Sequence, residues 1–168
     1  GVQYMGDGDQ ATAIDGLVHT TGHFLVQVYW QLGDRAWLKE GFAYYYTMKV
    51  LESTRRFCVA LGSYNSPGGG MKDWGESSEW KDLLKKEVVG HNDPDLRVFY
   101  RQKTQDLQFQ ASVKSWSMIS WLFDKHRENF MKWLDAVGRN GKDEEKCFVE
   151  FFGWSFEEVD KAWREYVL

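Results

Sequence analysis

The sequence predicts a mainly α-helical fold with little or no β-sheet. Along most of the chain, apolar residues recur at steps of three and four, the period that places side chains on one face of a helix. The alternation of apolar and polar residues that is typical of strands is scarce. The chain has 168 residues, 43% of them hydrophobic, which is sufficient for one domain with its own core. We therefore expect residues 1–168 to form a single helical domain.

The first two predicted helices are joined by a very short turn. The first covers Ile14 to Leu32, and Gly33 supplies its stop. Asp34 has the side chain of a helix N-cap and is expected to begin the second helix. The expected packed face of the first helix contains Ile14, Leu17, Val18, Thr21, Leu25, Val28 and Leu32. The second helix presents Trp37, Leu38, Gly41, Tyr44, Met48 and Leu51 at similar spacing.

The middle of the chain is predicted to be irregular. Residues 62–78 are too rich in glycine, proline and serine for a helix or a central strand, so they predict a loop. A shorter helix is expected around residues 79–89. Residues 95–100 follow a proline and are expected to form a short strand or an extended segment.

The last third of the chain predicts four helical segments. Two of them, residues 107–125 and 128–137, are long, and His126 is expected to complement the negative end of the first. A short helix follows at residues 143–152. A serine and a glutamate with capping-box spacing open the final helix at residue 155.

Charge and cysteine content exclude several classes of protein. The net charge is -4, with 21 basic and 25 acidic residues mixed along the chain, so a nucleic-acid partner is not expected. No apolar run reaches the length that spans a bilayer. Cys58 and Cys147 are far apart, which indicates buried apolar residues rather than a disulfide framework. The start at Gly1 indicates a processed or excised fragment of a longer protein, from which either a signal or an upstream domain was removed. A removed signal would make the protein secreted or part of the cell envelope.

The aromatic content of 17%, with nine tryptophans, has two interpretations. Large rings contribute much of the burial in small helical cores, so core filling is the simpler interpretation. The other is a face of exposed rings that binds a glycan or a peptide.

A possible metal site comes from the first two helices. His19 and His23 are four residues apart, so their rings project side by side from one helical face, opposite the apolar stripe. A short turn makes the second helix antiparallel to the first, and Glu40 lies early in it. Two histidines and one glutamate leave a fourth coordination position open, which is typical of catalytic zinc sites.

The order of these motifs resembles the gluzincin family of zinc metallopeptidases. HTTGH at 19–23 is similar to the HExxH helix, and WLKEGFA at 37–43 is similar to the downstream W-L-x-E-G-x-A helix of thermolysin-like, peptidase MA-type enzymes. The end of the chain, with FGWS at 152–155 and WREYV at 163–167, resembles the helical end of bacterial members. The resemblance covers the chain from about residue 13 onward and implies a helical, zincin-like metal-site lobe.

The resemblance implies roles for individual residues. It makes His19, His23 and Glu40 zinc ligands and places Thr20 where the family has its catalytic glutamate, which accepts a proton from zinc-bound water. Threonine does not titrate near neutrality, and loss of a general base lowers rates on the order of 10²- to 10⁴-fold. Tyr44 stands where such families often carry an acidic residue.

Three functional hypotheses follow. The first is a pseudopeptidase that keeps the fold and a zinc ion and binds a peptide or protein. The second is a working zinc hydrolase in which another group supplies the base, with His91 and Tyr44 as weak candidates. The third is a structural or glycan-binding module. The sequence leaves the oligomeric state open.

Overall fold

A computed structural model describes residues 7–55 and 75–168, and within them the fold is helical, as predicted. Its elements in chain order are α1 (Asp7–Trp30), α2 (Ala36–Leu51), α3 (Ser77–Val89), α4 (Leu96–Phe99), α5 (Phe109–Val137), α6 (Glu144–Phe152) and α7 (Phe156–Val167). The only strand-like pairing in these ranges is an isolated bridge between Ser53 and Glu76. The described helices include none long and apolar enough to cross a membrane.

Helices α1 and α2 form an antiparallel hairpin, as the short turn predicts. Gly33 adopts a left-handed conformation, with φ of 61°, in the turn between them. The N-cap of α2 is Arg35, which makes no side-chain capping hydrogen bond, so the prediction that Asp34 caps this helix is wrong. The end of α1 and the beginning of α2 lie within two residues of those expected, because the turn chemistry is local. The beginning of α1 was predicted wrongly, since the helix starts at Asp7 and not at Ile14.

The predicted packed face of α1 is wrong. Most of its stripe faces solvent: the exposed fraction is 52% for Ile14, 68% for Leu17 and 55% for Val28. Val18 and Leu25 are half-buried, and only Leu32, beyond the end of α1, is fully buried. Helix α2 covers the opposite face, where Gly22 lets the two backbones approach closely. That buried face contains Asp15, Gly16, His19, Gly22, Val26 and Trp30. The histidines therefore lie in the helix interface and not on a free surface.

Helix α2 packs on α5 through its other face, and aromatic rings fill the space between the helices. Phe42 stacks on Trp30 and Phe130, and Phe130 continues the stack to Trp133. Seven tryptophans are buried: Trp30, Trp37, Trp80, Trp116, Trp121, Trp133 and Trp163. Trp154 is half-buried, and Trp74 lies outside the described residues. The core-filling interpretation is confirmed for these seven.

The predicted break in the long helical stretch is found, whereas the predicted extended segment is wrong. The segments 107–125 and 128–137 lie in α5, where two helical runs meet at a kink at His126, whose φ is -134° and ψ 26°. The His126 ring packs against Trp121 and Trp154 at this kink, and burial lowers its pKa, which disfavours the charged form expected to complement the helix end. Residues 95–100 form the short helix α4, because the Asp95 side chain caps its N-terminus through the Arg97 amide.

Other predicted elements are found with small shifts. Helix α3 begins two residues earlier than expected, and α6 begins one residue later. The capping box of α7 is present, with the Ser155 hydroxyl accepting from the Glu158 amide and the Glu158 carboxylate accepting from the Ser155 amide. Cys147 is fully buried, as expected. Cys58 and residues 62–74 of the predicted loop lie outside the described residues.

A buried carboxylate fixes the beginning of α2. Glu144, at the start of α6, accepts hydrogen bonds from Trp37 Nε1 and from Arg35 Nε, both at 2.9 Å. Because Glu40 is one turn further along the same helix, this anchor helps to set its position relative to α1.

A buried ion cluster joins α5, α7 and the segment before α4. Lys114 Nζ lies 2.9 Å from Asp93 Oδ2 and 2.7 Å from Asp160 Oδ1, and all three side chains are at most 4% exposed. Arg164 also pairs with Asp93 at 3.0 Å. Such a cluster stabilises the fold only while every charge has its partner.

Candidate metal centre

Three side chains with metal-binding atoms meet between α1 and α2. The Nε2 atoms of His19 and His23 are 3.1 Å apart. Glu40 Oε2 is 3.6 Å from the Nε2 of His19, and Glu40 Oε1 is 3.5 Å from that of His23. One candidate ligand atom from each residue lies within 4.8 Å of the other two. The arrangement expected from the sequence is therefore present.

Local helix geometry explains why these atoms converge. Residues four apart on a helix project from the same face, and the two imidazoles meet edge to face with ring centroids 4.8 Å apart. Glu40 reaches them from α2 because Gly22, between the two histidines, brings α1 against Ala43. A larger residue at position 22 would hold the carboxylate away from the rings.

The site is buried on one side and partly open on the other. The side chains of His19 and Glu40 are each 2% exposed, whereas that of His23 is 23% exposed. Solvent or a small ligand therefore approaches past His23. Two imidazoles and one carboxylate are three donors, so a four-coordinate ion held by them would have one position left for solvent.

The electrostatics keep His23 in the form that binds metals. Burial lowers the pKa of His23 below its usual value, and the neighbouring His19 and Lys39 lower it further, while Glu40 acts in the opposite direction. The imidazole is therefore neutral near pH 7, and neutral imidazole is the ligand form.

The charge balance of this interface also fits a cation. Glu40 Oε2 is buried and accepts no hydrogen bond in the described part of the chain. Of the cationic groups in residues 7–55 and 75–168, only the two histidines lie within 4 Å of its carboxylate. Burying a carboxylate without a compensating charge is costly, and a divalent cation would remove that cost. The donor set of two nitrogens and one carboxylate therefore fits a transition metal.

The other predicted site residues have different surroundings. Thr20 is exposed beside His19 on α1. Tyr44 is fully buried, with its ring 4.7 Å from that of His19 and 5.1 Å from that of Trp80. His91 is an exposed residue with φ of 54° just beyond α3, and no described ion pair or hydrogen bond connects its ring to the triad.

Sequence reasoning missed Asp15. This carboxylate is only 2% exposed and lies one turn before His19 on the same face of α1. Its Oδ1 atom accepts a hydrogen bond of 2.9 Å from the Arg55 amide. The signal was the regular spacing of Asp15, His19 and His23, each four residues from the next.

A separate cavity of about 550 Å³ lies between α2, α3, α5 and α7. Its walls include Tyr45, Trp116 and Tyr166, with lysines at its edge. None of its lining residues belongs to the triad, so this cavity and the candidate metal site are separate places in the fold.

A comparison with protein-family models, curated proteins and solved structures finds no match to this chain. The motifs and the geometry of the α1–α2 interface are therefore the basis for a functional proposal. The gluzincin resemblance stays a prediction.

Proposed function

We propose that the chain is a gluzincin-like domain in which His19, His23 and Glu40 bind a divalent transition metal, zinc in the first place, and which does not hydrolyse peptides. The observation that carries the proposal is the convergence of three donor groups, two of them buried, within 4.8 Å. In this view the domain binds a peptide or protein ligand beside its metal.

The donor types favour zinc over magnesium or calcium. Two imidazole nitrogens and one carboxylate suit zinc and its neighbours in the first transition row, whereas magnesium and calcium prefer oxygen ligands. When bound, the metal would supply a Lewis acid with one open position. His19 and His23 would hold it through Nε2, and Glu40 would add the negative charge.

Thr20 is the reason to expect no peptidase activity. Peptide hydrolysis at such a site needs a group that accepts a proton from the attacking water and passes it to the leaving amine. The Thr20 hydroxyl does not titrate near neutral pH. Thr20 is exposed, and its side chain carries no carboxylate that could accept the proton. Tyr44 is an unsuitable substitute because it is fully buried.

Metal content and thermal stability test the proposal. The protein is purified without chelator, its zinc content is measured, and its melting temperature is followed as zinc is added. A zinc concentration of 100 times Kd stabilises the folded state by about 2.7 kcal/mol. For a domain of this size that corresponds to a rise in melting temperature of roughly 5 to 10 °C.

The variants His23→Ala and Glu40→Gln should remove this rise. His91→Asn is the matched control, since it removes an exposed imidazole and asparagine tolerates the left-handed backbone there. A wild-type protein with no zinc and no shift would show that the triad is not a metal site. Chelator-sensitive peptide hydrolysis that His23→Ala abolishes would favour the working hydrolase instead.

A further inference from the structure

The cavity between α2, α3, α5 and α7 has the size and the walls of a small-molecule site. Its volume is about 550 Å³. Pockets that bind small ligands usually have about 300 to 1,000 Å³ and mostly apolar walls. The rings of Tyr45, Trp116 and Tyr166 line this cavity, together with Met48 and Leu84. None of these residues belongs to the metal triad, so a ligand here would be independent of the metal.

Five charged side chains line the same cavity without forming an ion pair. They are Lys49, Lys81, Lys85, Glu52 and Asp124, and all five are exposed. Within residues 7–55 and 75–168, the ion pairs of lysines with carboxylates involve other side chains. The charges of these five residues are therefore available to a ligand.

The charges divide between two walls of the cavity. Lys49 and Glu52 are three residues apart on one face of α2, so together they contribute little net charge. The remaining groups are the ammonium groups of Lys81 and Lys85, one turn apart on α3, and the carboxylate of Asp124 on α5. A cationic wall and an anionic wall suit a ligand that carries both charges.

The distance between these walls corresponds to a short peptide. Helix α3 meets α5 where the ring centroids of Trp80 and Trp116 are 5.4 Å apart, and Lys81 directly follows Trp80. Asp124 lies eight residues beyond Trp116 on α5, which is about 12 Å along the helix axis. An extended dipeptide spans about 7 Å, and a charge-assisted hydrogen bond adds about 2.8 Å at each end. A dipeptide with free termini can therefore reach from the α3 lysines to Asp124.

Two phenol rings and one hydroxyl complete the site. Burial, and then the negative charge of Asp124, raise the pKa of Tyr45 and of Tyr166, so both phenols are neutral near pH 7 and lie close to Asp124. A ligand ammonium there would meet a carboxylate and aromatic rings, which attract cations. Ser117 is 6% exposed, and its oxygen accepts a hydrogen bond of 3.1 Å from Trp163 Nε1. Its own hydroxyl hydrogen, which no described residue accepts, is available to a peptide carbonyl.

We propose that this cavity binds a short peptide with free termini. The peptide carboxylate lies at Lys81 and Lys85, its ammonium group lies at Asp124, and its apolar side chains pack on the rings of Tyr45 and Trp116. Because both terminal charges are recognised, a peptide with a blocked end binds more weakly. This site goes beyond the proposed function, since it uses no residue of the triad and needs no metal.

Isothermal titration calorimetry of the full chain with leucyl-phenylalanine tests the site. A chelator is present throughout, so the metal centre does not contribute and the two proposals can fail separately. We expect a Kd on the order of 10⁻⁴ M. Amidation of the peptide carboxylate or acetylation of its ammonium group should each weaken binding about 10-fold, because each removes a charged hydrogen-bonding group.

Variants of exposed residues assign each end of the peptide. The double variant Lys81→Gln, Lys85→Gln should weaken binding of the free dipeptide about 10-fold and leave the affinity for its C-terminal amide unchanged. Asp124→Asn should weaken binding of the free dipeptide to a similar extent and leave the affinity for its N-acetyl form unchanged. Lys86→Gln removes an exposed lysine of α3 that lies outside the cavity, so it is the matched control and should change neither affinity.

Three results would overturn the proposal. The first is no binding by the wild type at about 10 mM dipeptide. The second is an equal Kd for the free and the blocked peptides, which would mean apolar adhesion without recognition of the termini. The third is a loss of affinity in Lys86→Gln as large as that in the double variant, which would mean a general effect of net charge.

Discussion

The substitution Gly22→Ala should disturb the metal centre without touching a ligand. Gly22 lies between His19 and His23, at the point where α1 crosses α2. A Cβ atom added there would be 2.9 Å from the Cα of Ala43, and that backbone atom cannot rotate away. Carbon atoms pack best at about 3.5 to 4.0 Å, so the two helices must separate by roughly 0.5 Å or more.

Two effects of opposite sign determine the stability of this variant. Alanine is favoured over glycine inside a helix by about 1 kcal/mol. Overpacking a tight interface typically costs about 1 to 3 kcal/mol, and here the obstacle is backbone. The cost is the larger effect, so we expect a net loss of roughly 1 kcal/mol in the free energy of unfolding. The zinc Kd should weaken about 10-fold, since ligand distances in metal sites hold to about 0.2 Å.

Urea denaturation and a zinc competition titration measure these two quantities. Thr20→Ala is the matched control, because it also adds an alanine to α1 but at an exposed position. It should stabilise the helix slightly and leave zinc binding unchanged. If Gly22→Ala were stabilised by about 1 kcal/mol with an unchanged Kd, the close contact of α1 with α2 would be refuted.

Three further predictions concern other residues. Lys114→Ala leaves the Asp93 and Asp160 carboxylates buried without the Lys114 ammonium group. Urea denaturation should therefore show a free energy of unfolding lower by about 3 to 5 kcal/mol, and a decrease below about 1 kcal/mol would contradict the buried cluster. Burial raises the pKa of Glu144 to about 7 in the folded protein, above its value in the unfolded chain. Its contribution to stability is therefore full below about pH 4.5 and is lost as the pH rises through 7. The change is on the order of 3 kcal/mol, and Glu144→Gln should remove it from the pH profile of unfolding. Thr20→Glu supplies the missing base, so zinc-dependent hydrolysis of a peptide library should rise on the order of 10²-fold or more above wild type; equal rates would show that Thr20 is not what limits activity.

Local features of the sequence were sufficient for the helices and for the triad. Most helix ends were predicted from signals that involve only a few neighbouring residues. These signals are the three- and four-residue apolar period, the turn at Gly33 and the capping box at Ser155. The two histidines share a face by spacing alone. Because the turn before α2 is short, α2 must run back along α1, and this places Glu40 close to His19 and His23.

The covered face of α1 was not predictable in the same way. Periodicity shows which residues share a face of a helix, but it does not show which face another helix covers. In α1 the candidates were the apolar stripe with Leu17 and the opposite face with His19 and Gly22. The close approach of the α2 backbone at Gly22 determines which face is covered, and it depends on Ala43, 21 positions along the chain. Asp15 was missed for the same reason, since its burial is visible only once α2 is in place.

The kink at His126 and the helix at 96–99 also depend on tertiary contacts. His126 packs on Trp121 and Trp154, and the latter belongs to the segment between α6 and α7. Leu96 donates its amide hydrogen to Asp160 of α7, which holds the beginning of α4 in place. Trp154 and Asp160 are distant in sequence, so the helix at 96–99 was not predictable from its own residues, and the break at His126 was predicted without the packing that surrounds it.

X-ray absorption at the zinc edge, recorded on protein loaded with one equivalent of zinc, tests whether the triad binds the metal. We expect a site with two imidazole nitrogens at about 2.0 to 2.1 Å and oxygen ligands at about 2.0 to 2.2 Å, with the imidazole signal reduced in His23→Ala. A spectrum of fully hydrated zinc, or one that His23→Ala leaves unchanged, would contradict it.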